Sequence, residues 1–232
     1  MTNPSACAVF DIDDTLYLER DYVRSGFESV GRWVEHNLGL PGFFEDAWGA
    51  FERGARGRIF DLVLAARGIQ TSPEVIGTLV DVYRTHRPTI ELIPDARACL
   101  EAMQTRFALA IVTDGPLESQ RAKVQALGTD RWVETTVLTA ELGTGFAKPH
   151  ERAFQLVEAA SGWKGERCTY VADNPAKDFA GPKSLGWRTV RVRRPGALHL
   201  HRPSGADVDL ELPDLSSLHA FLGVEGVPQW TS

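Results

Sequence analysis

The chain has 232 residues, of which 43% are hydrophobic and 24% are charged, and its formal net charge is −6. This length accommodates one large domain or a core with a smaller insertion, and no apolar run approaches the roughly 20 residues that span a bilayer. The negative charge excludes a general basic field that would attract nucleic acid or an anionic membrane surface.

The N-terminal segment predicts a cytoplasmic protein. It has no basic region typical of a signal peptide, and its apolar residues 6–10 run directly into the acids of residues 11–14. The three cysteines, Cys7, Cys99 and Cys168, have no metal-ligand spacing and are odd in number. We therefore expect buried free thiols and no disulfide framework.

The first element is a short apolar run at residues 6–12 that ends in acids, which predicts a buried parallel strand with a polar carboxyl end. Residues 16–92 contain no convincing strand. Apolar side chains recur there at helical spacing in four groups, which begin at Val23, Phe44, Phe60 and Val75. This pattern predicts an inserted helical module whose aromatic side chains pack inside a small bundle.

Strand and helix patterns alternate in the rest of the chain. Apolar or β-rich runs predict strands at residues 107–112, 133–138, 168–172, 188–192 and 208–212. Helical patterns lie at residues 96–104, 116–127, 149–160 and 215–222. This alternation predicts an α/β fold with a doubly wound parallel sheet. Ligands of such sheets bind beyond the carboxyl ends of the strands, which is where Asp11, Thr113 and Asp173 fall.

Two carboxylates converge at the end of the first strand. Because side chains alternate along a strand, Asp11 and Asp13 point to the same face. A carboxylate can attack phosphorus without first losing a proton, and a second carboxyl can protonate the leaving oxygen and then activate water. The second role requires a raised pKa, which we expect for Asp13 from its carboxylate neighbour and partial burial. The alternative is that these acids cap the next element or bind a cation passively.

Four segments resemble the motifs of the haloacid-dehalogenase superfamily, in the order in which the family has them. Residues 11–15 (DIDDT) resemble motif I, and residues 111–115 (IVTDG) resemble motif II. Lys148, in the tripeptide AKP, resembles the lysine of motif III, and residues 171–178 (VADNPAKD) resemble motif IV. The resemblance covers the predicted core and says less about the insertion.

The resemblance implies a phosphohydrolase in which Asp11 is the nucleophile, Asp13 the general acid/base and Lys148 the residue that steadies the nucleophile and the negative charge. Because clustered carboxylates and a substrate phosphate repel one another, a divalent cation is required, and all-oxygen ligation suits Mg²⁺. The resemblance implies further site residues: Thr113, Asp114 and Gly115 for the phosphate, and Asp11, Asp13 (through its backbone carbonyl), Asp173 and Asp178 for the metal.

The insertion resembles the small helical cap of the family's first cap type. We therefore expect residues 17–92 to form a cap domain, and residues 1–16 and 93–232 to form a Rossmann-like core. A closing cap favours a small phosphorylated metabolite over a macromolecule. Near the return of the insertion to the core, substrate contacts are expected from Arg84, His86 and Arg87. The alternative for each of these side chains is a solvated surface role, and neither the leaving group nor the oligomeric state follows from the sequence.

Individual residues argue against some of the other activities found in the superfamily. Asp13 argues against a dehalogenase, which lacks an acid two residues after the nucleophile, and an insertion without lysine argues against a phosphonatase. A phosphomutase and a non-catalytic phosphate-binding protein of the same fold remain as alternatives.

Two positions depart from the family pattern. Ala172 stands where glycine usually precedes the metal-binding aspartate, and Gly181-Pro182 replaces a common glycine-alanine. We expect the proline to kink the helix in which it lies.

Overall fold

The computed structural model describes residues 4–70 and 72–222. The strands of this part of the chain are β1 (Ala6–Phe10), β2 (Phe107–Thr113), β3 (Thr135–Leu138), β4 (Cys168–Ala172), β5 (Arg188–Val192) and β6 (Leu210–Leu212). The α-helices are α1 (Glu19–Leu38), α2 (Phe43–Glu52), α3 (Ile59–Ala66), α4 (Pro73–Thr85), α5 (Pro94–Met103), α6 (Leu117–Leu127), α7 (Arg152–Ser161), α8 (Ala180–Ser184) and α9 (Leu218–Leu222). Short 3₁₀ helices are Thr129–Arg131, Thr139–Leu142 and Gly165–Arg167.

The six strands form one parallel sheet in the order β3-β2-β1-β4-β5-β6. Every residue of β1 and β4 is buried, as expected of central strands covered by helices on both faces. The predicted doubly wound α/β fold is therefore confirmed. The strand order reverses direction between β1 and β4, and such a switch point is where open α/β sheets bind ligands.

The core beside the sheet is built from apolar strand residues and the helices packed on them. The Phe154 ring of α7 lies 4.9 Å from that of Tyr170 and 5.5 Å from that of Trp187, in edge-to-face geometry. Aromatic pairs prefer this arrangement. All three cysteines are free and buried, as predicted. Among the described residues, no helix has the length and apolar character needed to cross a bilayer.

The chain divides into two compact units. Of the described residues, the first unit comprises those up to Arg20 and those from Glu91 onward, and it contains the sheet. The second, Asp21–Ile90, contains α2, α3, α4 and most of α1, and lies within the residues 17–92 that the sequence assigns to the insertion. Described by itself, this second unit is helical, and aromatic side chains pack in its interior. Its aromatic rings pack around Phe27. The ring centroid of Phe27 lies 5.5 Å from that of Phe60 and 5.8 Å from that of Tyr83.

The expectation that Pro182 kinks its helix is wrong. Helix α8 begins only at Ala180, so Pro182 lies in its first turn, where backbone N–H groups have no partner within the helix and none is lost. Gly181 is constrained instead. A Cβ atom at Gly181 would lie 2.2 Å from the carbonyl oxygen of Pro149, so α8 approaches the segment around Pro149 more closely than any side chain permits.

Candidate active site

Three aspartates meet at the carboxyl edge of β1 and β4. Asp11 directly follows β1, and its N–H donates to the carbonyl of Val171 at 2.9 Å, which fixes the strand end. Asp173 and Asp178 follow β4, and Asp178 Oδ2 accepts the N–H of Asn174 at 2.9 Å. Carboxylate oxygens of Asp11, Asp173 and Asp178 lie within 4.8 Å of one another, and all three residues are buried. The structure thus brings together three of the predicted metal ligands.

The negative charges of the cluster repel one another, and Asp173 is affected most. Burial, then the negative charges of Asp178 and Asp11, raise the pKa of Asp173 to about 9. Burial is also the largest of the effects that raise the pKa of Asp11. Within the described residues, Asp173 Oδ2 is buried and has no hydrogen-bond partner. A divalent cation would offset both the repulsion and the missing partner, so the donor set, which contains only oxygen, fits Mg²⁺.

Lys148 supplies positive charge to two of the three aspartates. Its Nζ lies 3.0 Å from Asp11 Oδ1 and 2.8 Å from Asp178 Oδ1, and it donates to the Tyr170 hydroxyl at 2.9 Å. Burial alone would lower the pKa of Lys148, but the carboxylates of Asp11 and Asp178 raise it well above its ordinary value. The side chain is therefore held as a buried ammonium beside the predicted nucleophile.

The segment after β2 connects this lysine to the end of the sheet. The Asp114 carboxylate accepts the hydroxyl of Thr139 at 2.5 Å and the backbone N–H of Lys148 at 3.1 Å. The side chain of Asp114 thus positions the segment that carries Lys148. Thr113 is buried, and its hydroxyl donates to Gln120 Oε1 at 3.1 Å. Gly115 has a φ of +148°, and a Cβ there would lie 2.4 Å from Gln120 Nε2.

Asp13 has an environment different from the one that the sequence predicts. The Lys123 ammonium lies 2.7 and 2.8 Å from its two carboxylate oxygens, Gln120 Nε2 donates to it at 3.4 Å, and the Tyr17 hydroxyl makes a short hydrogen bond to it. Burial would raise the pKa of Asp13, but Lys123 and these hydrogen bonds together lower it. The expected raised pKa of Asp13 is therefore wrong, because the charge nearest to its carboxylate is a cation and not another carboxylate.

Two further groups hold the site in place and were missed by sequence reasoning. Arg191 on β5 is fully buried, and its guanidinium donates to the carbonyls of Asp173 (2.9 Å) and His199 (2.8 Å). Asp14, with a φ of +52°, accepts the N–H of Glu19 at 2.8 Å and that of Leu198 at 2.7 Å. Arg191 reaches the carbonyl of Asp173 across 18 residues of sequence, and Asp14 reaches the N–H of Leu198 across 184 residues, so no local pattern predicts these contacts.

The predicted substrate contacts of the insertion lie in the second unit. His86 is buried there, with its ring 4.8 Å from that of Tyr22 and its Nδ1 2.5 Å from the Tyr83 carbonyl. Arg84 and Arg87 are exposed. The two arginines therefore present charge at the surface of this unit, whereas His86 packs inside it.

Comparison with known proteins finds one matching family and several similar phosphatases. A model of the haloacid dehalogenase-like hydrolases matches residues 6–186. The chain is 28% identical to the phosphoserine phosphatase of Thermus thermophilus, over 89% of this chain and 95% of the relative. It is 30% identical to the glyceraldehyde 3-phosphate phosphatase of Methanocaldococcus jannaschii, over 79% of this chain and 83% of the relative.

Solved structures show the same fold. The magnesium-bound hydrolase YfnB of Bacillus subtilis aligns with a TM-score of 0.67 at 19% identity, over 94% of this chain and 99% of that one. A phosphatase of Thermococcus onnurineus aligns with a TM-score of 0.62 at 22% identity, over 96% of this chain and 100% of that one.

Proposed function

This chain belongs to the haloacid dehalogenase-like hydrolases and is a phosphatase, and we propose that it hydrolyses a small phosphomonoester with Mg²⁺, through an aspartyl-phosphate on Asp11. The observation that carries this proposal is the buried cluster of Asp11, Asp173 and Asp178 with Lys148 between two of them. The carboxylates of the cluster and the backbone carbonyl of Asp13 would hold the metal. When bound, it would neutralise charge on the substrate phosphate.

In the first step, a carboxylate oxygen of Asp11 attacks phosphorus, and the bond from phosphorus to the ester oxygen breaks. Asp13 gives a proton to the departing oxygen, which leaves as an alcohol. It holds this proton because the entering phosphate is a like charge that raises the pKa of the carboxyl. Lys148, 3.0 Å from Asp11, stabilises the negative charge that builds up on the phosphoryl oxygens.

In the second step, Asp13 takes a proton from a water molecule that attacks phosphorus. The bond between phosphorus and Asp11 breaks, inorganic phosphate leaves, and Asp13 is again ready to donate a proton. The backbone N–H groups of Asp114 and Gly115 would bind phosphoryl oxygens during both steps, and the Thr113 hydroxyl would join them by turning its proton away from Gln120 Oε1. Water entry separates this cycle from that of a phosphomutase, which transfers the phosphoryl group back to a sugar.

We propose that the second unit acts as a cap and that the substrate is a small metabolite. Phosphoserine and glyceraldehyde 3-phosphate, named for two relatives, are both three-carbon phosphate esters. The insertion follows motif I directly, which is where the resemblance places a cap. Arg84 and Arg87 would provide cationic groups for the part of the substrate that does not react.

The test is a screen of phosphorylated metabolites, ranked by kcat/KM, with Mg²⁺ and with EDTA. We expect turnover only with metal, release of inorganic phosphate, and no isomerised sugar phosphate. Asp11→Asn should abolish turnover and give no phosphoenzyme in intact-protein mass spectra after acid quench. Asp13→Asn should hydrolyse an unactivated ester on the order of 10² to 10⁴ times more slowly, yet accumulate phosphoenzyme with an activated ester. Full turnover in EDTA, or a phosphoryl adduct on Asp11→Asn, would refute the proposal.

A further inference from the structure

Helix α6 buries a polar face. Ser119, Gln120 and Lys123 are 2%, 2% and 4% exposed, although helices of this kind of fold normally bury apolar side chains. Gln120 and Lys123 are three residues apart and therefore share one side of the helix. Burying a lysine ammonium is costly unless it is paired and hydrogen-bonded, so its partner indicates what the face is for.

One partner of Lys123 is the predicted general acid/base, Asp13. Lys123 Nζ contacts both carboxylate oxygens of Asp13, at 2.7 and 2.8 Å, across 110 residues of sequence. Gln120 donates to Asp13 through Nε2 and accepts the Thr113 hydroxyl through Oε1, so it joins Asp13 to the segment that would bind phosphate. The Tyr17 hydroxyl also bonds to Asp13, from the segment that follows β1.

These contacts restrain both carboxylate oxygens of Asp13. Proton transfer requires the Asp13 oxygen to lie within hydrogen-bond reach of the leaving oxygen and, later, of water. A small displacement of a catalytic group costs a large part of its effect. The bidentate contact with Lys123 restrains both oxygens, and Gln120 and Tyr17 restrain one each.

We propose that Lys123 is a positioning residue for proton transfer, which holds the Asp13 carboxylate in its working orientation with the help of Gln120. Lys123 does not touch the reacting atoms in this assignment. The inference rests on the proposed acid/base role of Asp13. The proposed role of Lys123 differs from that of a purely structural ion pair in one measurable respect. Loss of Lys123 should slow the steps that need proton transfer by Asp13, and it should not slow the attack of Asp11 on an ester whose leaving group needs no proton.

The experiment compares wild type, Lys123→Met, Lys123→Arg and Asp13→Asn. Each is assayed with 4-nitrophenyl phosphate, whose leaving group needs no proton, and with the best alkyl ester from the metabolite screen. For Lys123→Met we expect kcat with the alkyl ester to fall on the order of 10- to 100-fold with little change in KM. With 4-nitrophenyl phosphate we expect a rapid burst of nitrophenolate, then slow turnover and accumulated phosphoenzyme. Lys123→Arg keeps a bidentate donor and should recover part of the activity.

Two controls make the result specific. Lys164→Met removes a lysine from an exposed position and should leave both assays unchanged. The double variant Asp13→Asn with Lys123→Met should be no slower than Asp13→Asn alone, because residues that act through one another are not additive. If thermal melting shows that Lys123→Met does not fold, Gln120→Met removes one donor to Asp13 without a change of charge and takes its place.

The outcomes separate this inference from the proposed function. Unchanged hydrolysis by Asp13→Asn would refute the acid/base role itself. Impaired Asp13→Asn beside normal or faster Lys123→Met would overturn only the positioning role. An equal loss for both esters without a burst, or a double variant slower than Asp13→Asn, would likewise overturn it and leave Lys123 as a structural counter-ion.

Discussion

The ammonium nitrogen of Lys148 lies 3.0 Å from Oδ1 of Asp11, and the two side chains are 0% and 4% exposed. A buried pair of this kind is costly to break, because the remaining charge is left without its partner. In this protein the remaining charge would be the proposed nucleophile.

Lys148→Met is expected to lower kcat with any phosphomonoester by a factor on the order of 10² to 10³, the loss typical of removing one charge-stabilising donor. The measurement is steady-state turnover together with the yield of phosphoenzyme after acid quench, which should fall as well. Lys164→Met, at an exposed position, is the control and should behave as wild type. A kcat within about threefold of wild type would contradict the role of Lys148 in stabilising charge.

Stability of the metal-free protein should fall as the pH rises. The pKa of Asp173 is about 9 in the fold against an ordinary value of 3.8, so between these values the folded protein keeps a proton that the unfolded chain releases. The free energy of unfolding then decreases with pH, by up to about 1.4 kcal/mol per pH unit. Thermal melting in EDTA from pH 5 to pH 9 measures this slope.

Asp173→Asn is the matched variant for that experiment, because asparagine has a similar shape and no charge at any pH. It should reduce the pH dependence in EDTA but not remove it, because burial also raises the pKa of Glu19 to about 8 and that of Asp14 to about 6. It should also weaken the rise in Tm that added Mg²⁺ gives to wild type. A slope that is the same in both proteins would show that other groups govern the pH dependence.

Gly181→Ala should destabilise the core and disturb the lysine segment. The new methyl group would lie 2.2 Å from the carbonyl oxygen of Pro149, next to Lys148. Such overpacking typically costs about 1 to 3 kcal/mol. Urea denaturation measures this cost, and we expect kcat to fall too, because Lys148 shifts with Pro149.

Gly77→Ala is the control for this substitution. Gly77 lies on α4 and is exposed, and a Cβ atom there would point into open space. Alanine should therefore be neutral or stabilise the protein by up to about 1 kcal/mol through helix propensity. Equal effects at the two glycines would contradict the close approach at Gly181.

Arg87→Ala should change which esters are preferred more than how fast a minimal ester is hydrolysed. Arg87 is exposed on the second unit and belongs to none of the four motifs, so we assign it to binding of the substrate and not to phosphoryl transfer. The measurement is kcat/KM over the metabolite panel and for 4-nitrophenyl phosphate. Arg32→Ala, another exposed arginine of the same unit, is the control. An equal loss for every ester would contradict the assignment.

The local sequence pattern was sufficient to predict the strands, the helices and the doubly wound α/β fold class of this protein. The runs that end at Asp11, Thr113 and Asp173 are apolar because central parallel strands are buried on both faces, and their polar ends lie at the sheet edge where the chain turns. The order and spacing of the four motifs then indicated the chemistry. These features are readable because each depends on residues adjacent in the chain.

Tertiary structure decided everything that depends on which side chains meet. The expected raised pKa of Asp13 followed from its neighbour in sequence, whereas its actual partner, Lys123, lies 110 residues away. Arg191 reaches the carbonyl of Asp173 from the neighbouring strand, and Pro182 causes no kink because α8 begins only two residues before it. Coulomb energy, desolvation and close packing depend on distance in space, and that distance is set by the whole fold.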